Sequence, residues 1–514
     1  MIKLYDLLDS IDVIKSWNMK NITINKIAYH SKKVVPDDVF VCIKGYKTDG
    51  HKYISNALES GAGAIIVEDF QPDLSIPQIQ VKDTRKALAA LSSAFYGNPS
   101  KSMKTIGITA TNGKTTTSFM LNSIFEKHNL KTGLIGTVMV KAGDFYEPSI
   151  LTTPESLDLQ AYFSKMRDKN VSHVTMEVSS SALDLKRVAN VDFDIVSFNN
   201  VSREHIDLHG SFDKYFDSKA SLIRNAGADK WAVLNIDDPL IKQLVNETKA
   251  NVVTFGVNSD DGHIACRNLD LSTGRAKYTI EILKSFKVGN ITYNPTSFDI
   301  KLSVPGYHSV SNSIVSIIIA LICGIPIPTI QESLRTFVGV ERRFEFIYED
   351  DFIIVDDHFA NTANINATFE TIKYMDYNKL TIVYSIRGSR GPTVNRENAE
   401  AIVSWASKLG IKEIIASLSK SHVGEKDIVT KEELDVFKNV MKNAGIKIHL
   451  FDELSDAISL AINNVKPRDI ILLSGCQGMD YGAQIALKQL YKLRPYLNED
   501  QLFKSIEKRV AGIL

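Results

Sequence analysis

The chain has 514 residues, is 44% hydrophobic and balances 60 basic against 60 acidic side chains. That length allows about three domains with sizeable cores. The even charge gives no footing for nucleic acid or an anionic membrane as the main partner. The four cysteines, Cys42, Cys266, Cys323 and Cys476, lie far apart with no CxxC pair, which argues against a disulfide scaffold or zinc ribbon and fits a reducing cytoplasm.

The first stretch, MIKLYDLLDSIDVIKSW, has acids inside its apolar run and does not read as a signal peptide. βαβ-like pieces follow. Val39–Ile43 reads as a strand, Tyr53–Ser60 as a helix and Ala64–Val67 as the next strand. Asn98-Pro99-Ser100 punctuates the end of this unit.

Residues 105–109 form an apolar run that enters Ala110-Thr111-Asn112-Gly113-Lys114-Thr115-Thr116. The run that leaves it places Met120, Leu121, Ile124 and Phe125 on one helical stripe. Strand, glycine-containing loop and helix together predict a phosphate cradle built from backbone N–H groups and a helix N-terminus. Lys114 would reach the β- and γ-phosphates, and the Thr115 hydroxyl would ligate Mg²⁺. Ile108 stands where the general Gly-x₄-Gly-Lys-Thr pattern has its first glycine.

Strand candidates continue at Val174–Val178, Asp194–Phe198 and Trp231–Asn235, an alternation that implies a mostly parallel sheet covered by helices. Glu177 falls at the carboxyl end of its strand, where open α/β sheets bind ligands, and could ligate Mg²⁺. Asn199 to Gly210 gathers two histidines, two acids and an arginine. His205 and His209 have helical spacing but lack the His-Glu-x-x-His arrangement of a zinc site, so a single Mg²⁺ ligand or a polar loop is expected there. Lys219, on an amphipathic helical start, reads as a surface lysine by composition alone. Residues 251–305 look β-rich, and Ser311–Leu321 reads as a helix whose apolar end, Ile317–Cys323, is far short of the ~20 residues of a membrane span.

Beyond Phe337-Val338-Gly339-Val340, strands are predicted at Phe352–Val355, Leu380–Tyr384, Glu413–Ala416, Ile446–Leu450 and Ile470–Leu473. Helical stretches such as Ala399–Lys408 and Ser455–Asn464 separate several of them. This predicts a further doubly wound α/β domain.

Together these segments resemble the Mur ligases, ATP-dependent amide-forming enzymes of cell-wall peptide assembly. The resemblance rests on residues 110–116, Thr152-Thr153-Pro154-Glu155, Met176–Ser180, Asn200–His209, Tyr215–Lys219, Asn312 and Arg343-Phe344-Glu345. Ser31–Val34, Lys44-Gly45 and Asp49-Gly50-His51 look like the MurE subgroup, which adds the third peptide residue to a UDP-linked precursor. The resemblance implies an α/β fold in three domains: 1–102 for the UDP-linked substrate, a central P-loop ATPase at 103–338, and a Rossmann-like amino-acid domain at 339–514. It implies ATP, one or two Mg²⁺ ions and an acyl-phosphate route in a cytoplasmic enzyme, expected to be a monomer.

By the same resemblance, Lys114, Lys219 and His205 are catalytic, with Lys219 carbamylated. Thr115, Glu177, His205 and Lys219 take the metal positions. Thr111, Asn112, Gly113, Lys114, Thr115, Thr116, Asn312, Arg343 and Asp357 match positions around the nucleotide. Ser31, Thr152, Thr153, Ser179 and Arg187 match positions around the UDP-linked substrate. Arg387, Arg390 and Asp480 are the candidates for binding the incoming amino acid.

The departures are specific. Ala110 replaces a usual glycine, a tolerable change if its φ is negative. Ser181 stands for a usual histidine, His30-Ser31-Lys32 for Asp-Ser-Arg, and Asp357–Thr362 lacks the usual histidine and proline. Ala416–His422 replaces the Asp-Asn-Pro-Arg segment with which bacterial MurE reads a diamino acid. Ser385–Gly391, Asn395–Asn398 and Val355-Asp356-Asp357 look more like the ligases that build pseudomurein peptides. Two other readings are a folate- or cyanophycin-type amide ligase and a catalytically silent Mur-like scaffold. The first is opposed by the MurE-like N-terminal stretch, the second by the intact Lys114, Thr115, Glu177, His205 and Lys219.

Overall fold

The structure is a computed structural model that describes residues 2–45, 48–202, 209–272, 274–507 and 509. It divides into two compact units, Met1–Lys114 with Phe125–Thr254, and Thr115–Ile124 with Phe255–Leu514.

The first unit opens on a five-stranded sheet in the order Val13–Trp17, Gln78–Val81, Ala64–Val67, Val39–Val41 and Ile27–Ala28, parallel except for its first strand. Both faces are buried. Val39 and Val41 point into one core with Leu88 and Leu91, while Phe40 points into the other with Ile54 and Ala57. That two-residue period is the pleat at work. The expected helix at 53–60 is a 3₁₀ turn, Gly50–Tyr53, running into a short helix, Ile54–Glu59.

The second sheet of this unit runs Phe145–Pro148, Met139–Ala142, Thr132–Ile135, His173–Glu177, Lys104–Thr109, Ile195–Phe198 and Trp231–Asn235. Its last five strands are parallel, and the first two form an antiparallel edge that sequence patterning had not singled out. Glu177 lies opposite Ile108, and Phe198 opposite Thr109. The phosphate-loop strand is therefore central, and three strand ends present their loops side by side. Met120, Leu121, Ile124 and Phe125 of the following helix, Lys114–Lys127, are all fully buried, as their spacing requires.

In the second unit, Ile264–Asp270, Arg275–Ile282 and Thr296–Pro305 form antiparallel pairs. The helix Tyr307–Ile322 is buried on nearly every side, which explains its continuous apolar sequence. Ser316 Oγ donates to the Thr117 carbonyl at 3.2 Å, tying this helix to the phosphate-loop helix. Among the described residues no helix is long and apolar enough to cross a membrane.

The last sheet runs Glu345–Glu349, Ile353–Asp357, Ile470–Gly475, Leu380–Ser385, Glu413–Ser417 and Lys447–Phe451, parallel but for its first strand. Val355, Ile382 and Leu472 feed the core on one face; Ile354, Val383 and Ile471 feed the other. A helix at Lys431–Asn443 was not among the expected elements, although Thr430 and Glu433 carry its capping box in plain view.

Candidate active site

The phosphate loop is pinned from the neighbouring strand. The Thr111 N–H donates to the Asn200 carbonyl at 2.9 Å, and the Asn112 N–H to Asn200 Oδ1 at 3.0 Å. Asn200 Nδ2 returns a bond to the Asn112 carbonyl at 2.9 Å, and the Thr111 and Tyr215 hydroxyls meet at 2.9 Å. Gly113 has φ +85°, a left-handed conformation that only glycine adopts without strain. Ala110 has no positive φ, so its methyl replaces a glycine hydrogen at no conformational cost.

Lys114 Nζ turns back onto the Ala110 and Thr111 carbonyls at 2.8 and 3.0 Å. Thr115 is buried and Thr116 half-buried in the first turn of the helix. Lys219, expected from composition to be a surface residue, is 1% exposed, and its Nζ donates to the Ala110 carbonyl at 2.8 Å. The helix Phe212–Arg224 carries Lys219 on its buried face, with Tyr215 and Phe216 one turn earlier. The periodic stripe Tyr215, Phe216, Lys219, Ala220 and Ile223 is the signal that composition had missed.

Glu177 is fully buried. Its carboxylate accepts the Thr137 N–H at 2.8 Å and the Thr137 hydroxyl at 3.0 Å. A Cβ at Gly136 would land on that carboxylate, so the loop 136–137 can wrap it only with glycine there. Thr137 Oγ1 meets Thr152 Oγ1 at 3.1 Å, and Thr153 Oγ1 donates to the Glu177 carbonyl at 2.9 Å. Ser179 caps the short helix Ser180–Asp184 and lies 3.2 Å from Thr153 Oγ1. Arg187 is held against Glu155 at 2.9 Å and donates to the Thr153 carbonyl at 3.2 Å. The structure thus joins Glu177, Thr152, Thr153, Ser179 and Arg187 in one hydrogen-bonded chain. Ser31 is buried in the 3₁₀ turn Ser31–Lys33.

His205 lies outside the described residues. His209 is buried, with Nε2 3.1 Å from Ser180 Oγ. Among the described residues no group of three or more His, Cys, Asp or Glu side chains could hold a metal by itself.

In the second unit, Asn312 is buried on the helix Tyr307–Ile322. Asp357 ends its strand, accepts the His358 N–H at 2.8 Å and takes the Thr368 hydroxyl. Burial lifts its carboxyl to about 6 against the pull of Thr368 and Arg343. Burial, helped by Arg343, Arg342 and Arg387, holds His358 well below the usual imidazole range. Asp480, a candidate for the substrate amine, is engaged by Arg342, which also bonds Asp356 and the Gly475 carbonyl. Arg509 completes this cluster, 2.8 Å from Asp356 and 2.5 Å from Glu345. Arg390 is largely exposed and lies 3.6 Å from Asp427. Arg387 is half-buried, with Nη1 on the Ala360 carbonyl at 2.5 Å and a buried Nε that has no hydrogen-bond partner.

The loop carrying these arginines closes around a carboxylate. The N–H groups of Ser389, Arg390 and Gly391 donate to Glu433 at 2.8–3.1 Å. Burial alone would raise the Glu433 carboxyl, but these bonds and one from Thr430 hold it below the usual range.

Three family models match the chain: the Mur ligase family catalytic domain over 23–96, the Mur ligase middle domain over 108–320, and the Mur ligase glutamate ligase domain over 342–477. The UDP-N-acetylmuramoyl-L-alanyl-D-glutamate–2,6-diaminopimelate ligase of Alkaliphilus metalliredigens is 34% identical over 484 residues, 92% of each chain. The Clostridium botulinum ligase of the same name is 35% identical, over 89% of this chain and 91% of its own.

The chain belongs to the Mur ligase family.

As a Mur ligase it is an ATP-dependent ligase, and its fold matches solved members along almost all its length. A structure of a ligase with the same diaminopimelate title superposes with TM-score 0.68 at 19% identity, covering 96% of this chain and 99% of that one. The Thermotoga maritima MurF ligase solved with ADP gives 0.60 at 21% identity, over 95% and 100%. A pseudomurein peptide ligase type C from Methanothermus fervidus gives 0.55 at 18% identity, over 89% and 95%. In this Mur ligase the three-domain order expected from sequence holds.

Proposed function

We propose that this Mur ligase joins a free amino acid to the peptide of a UDP-N-acetylmuramoyl precursor, with ATP converted to ADP and phosphate. The observation that carries the reading is the convergence of Lys114 and Lys219 on the Ala110 carbonyl of the phosphate loop. A peptide carboxylate oxygen attacks the γ-phosphorus, the bond to the β-phosphate oxygen breaks, and ADP leaves an acyl phosphate. The amine of the amino acid, having lost a proton, attacks the acyl carbon; phosphate departs and an amide remains. Lys114 swings from its loop carbonyls to the β- and γ-phosphates, where its charge is worth most as negative charge redistributes. Thr115, Glu177, His205 and a carbamate on Lys219 would hold Mg²⁺, which would neutralise phosphate charge. Buried Glu177, at a strand end beside the loop, and buried Lys219, on the helix Phe212–Arg224 with its Nζ on the Ala110 carbonyl, fit that role.

Thr152, Thr153, Ser179 and Arg187 hold the UDP-linked peptide, and Asn312, Arg343 and Asp357 the nucleotide. Relatives matched over about nine-tenths of the chain support the murein branch over a pseudomurein or folate-type substrate. The segment Ala416–His422 offers a different surface to the incoming amino acid. Ser417 and Ser419 are buried against each other and Ser385, and Lys420 pairs with Asp452 at 2.9 Å. Diaminopimelate is therefore expected to be a poor substrate. The test is a screen of amino acids against UDP-N-acetylmuramoyl dipeptide, read by product mass and phosphate release. ATP-dependent product with at least one amino acid is expected. No product and no phosphate release with any of them would overturn the assignment.

A further inference from the structure

Arg85 belongs to no motif singled out in the sequence, yet three segments of the first unit meet on its guanidinium. It is the second residue of the helix Thr84–Phe95, and its backbone is fixed from both sides. Asp83 caps the helix and accepts the Arg85 N–H at 2.9 Å. Thr84 donates through its N–H and its hydroxyl to Glu68 at 3.0 and 2.9 Å. From that base Arg85 Nε donates to the Lys44 carbonyl at 2.5 Å. Its Nη1 donates to Glu155 Oε2 at 3.1 Å and to the Leu185 carbonyl at 3.4 Å.

Glu155 is shared. Its other oxygen takes Arg187 through Nε at 3.0 Å and Nη2 at 2.9 Å. Arg187 in turn donates to the Thr153 carbonyl, and Thr153 reaches Ser179. The side chains of Arg85, Glu155 and Arg187 are each 12% exposed. Two guanidinium groups thus share one carboxylate in a mostly desolvated place, with Asp158, held by the Tyr29 hydroxyl at 2.6 Å, three residues further along the chain. Arg85 engages Lys44 through its backbone carbonyl, while the Lys44 ammonium pairs with Glu68 at 2.9 Å and Asp69 at 3.1 Å.

We infer that Arg85 is a positioning residue for the UDP-linked substrate, setting Lys44, Glu155 and the Leu185–Arg187 turn in register so that Arg187 and Thr153 meet the anionic precursor. The inference rests on the function proposed above. Lysine cannot replace it: a guanidinium presents five donors in a fixed planar fork, while an ammonium is a compact point charge.

The experiment compares wild type, Arg85→Met and Arg85→Lys. It measures KM for UDP-N-acetylmuramoyl dipeptide and for ATP separately, kcat, calorimetric binding of the dipeptide, and Tm. Arg85→Met should raise KM and Kd for the UDP-linked dipeptide about 10- to 100-fold, with KM for ATP and kcat within about threefold of wild type. Arg85→Lys should recover less than half of that loss on a logarithmic scale. Unchanged dipeptide binding in Arg85→Met, or a parallel rise in both KM values with a fall in Tm, would overturn the role. Wild type that neither binds nor turns over the UDP-linked dipeptide would instead overturn the functional reading on which it rests.

Discussion

Lys114 and Lys219 donate to the same oxygen, the Ala110 carbonyl, each at 2.8 Å. One lysine opens the phosphate-loop helix; the other comes 105 positions later, from the buried face of the helix Phe212–Arg224. Two cationic side chains from distant positions are thus gathered on one oxygen of the phosphate loop, an arrangement of charged donors suited to a phosphate.

Lys114→Ala is expected to abolish ligation while the fold persists. The side chain is half-buried and its loop is pinned independently by Asn200, so Tm should stay within about 3 °C of wild type. Phosphate release should fall by about 10³-fold or more, the scale of removing a preorganised charge from a phosphoryl-transfer site. Near-normal turnover by a folded variant would remove the ATPase role from this loop.

Lys219→Ala should be nearly inactive, and small carboxylates such as formate or acetate should restore part of the rate by entering the vacated space. Labelled carbon dioxide should also give a carbamate signal in wild type that the variant lacks. Neither rescue nor signal would leave Lys219 as a structural donor to Ala110.

Arg387→Ala should raise KM for the incoming amino acid more than Arg390→Ala does. Arg387 is half-buried with an unpartnered Nε, whereas Arg390 is 44% exposed beside Asp427. A charge-assisted bond is worth about 1.5–3 kcal/mol, so a rise of about 10-fold or more is expected for Arg387→Ala. Equal, small effects of both substitutions would take Arg387 out of the amino-acid site.

Asp357 gives a pH signature. Its carboxyl lies at about 6 in the folded protein, above its ordinary 3.8. Between those values the folded state holds the proton more tightly than the unfolded state does. Its contribution is therefore fully present below pH ~4 and is lost as pH rises through ~6. At about 1.4 kcal/mol per unit, the loss amounts to roughly 3 kcal/mol. Relative to Asp357→Asn, wild type should lose unfolding free energy between pH 4 and 6. A flat difference curve over that range would contradict the burial argument.

The sequence by itself determined the phosphate loop, because strand, loop and helix there are local. Gly113 is required by a single backbone angle, and Met120, Leu121, Ile124 and Phe125 by a helical period. The parallel strands Ala64–Val67 and Trp231–Asn235 were equally plain, since strands buried on both faces are continuous apolar runs. Tertiary structure alone decided which polar side chains meet. Lys219 looks like a solvated lysine until its helix turns it onto Ala110. Asp480 is free to bind an amine until Arg342 reaches it across 138 positions. Arg85 has no local signature, because its three partners come from segments up to 100 residues away. A period or a turn is set by neighbouring residues. A charge finds its partner only when packing has brought distant segments within hydrogen-bond reach.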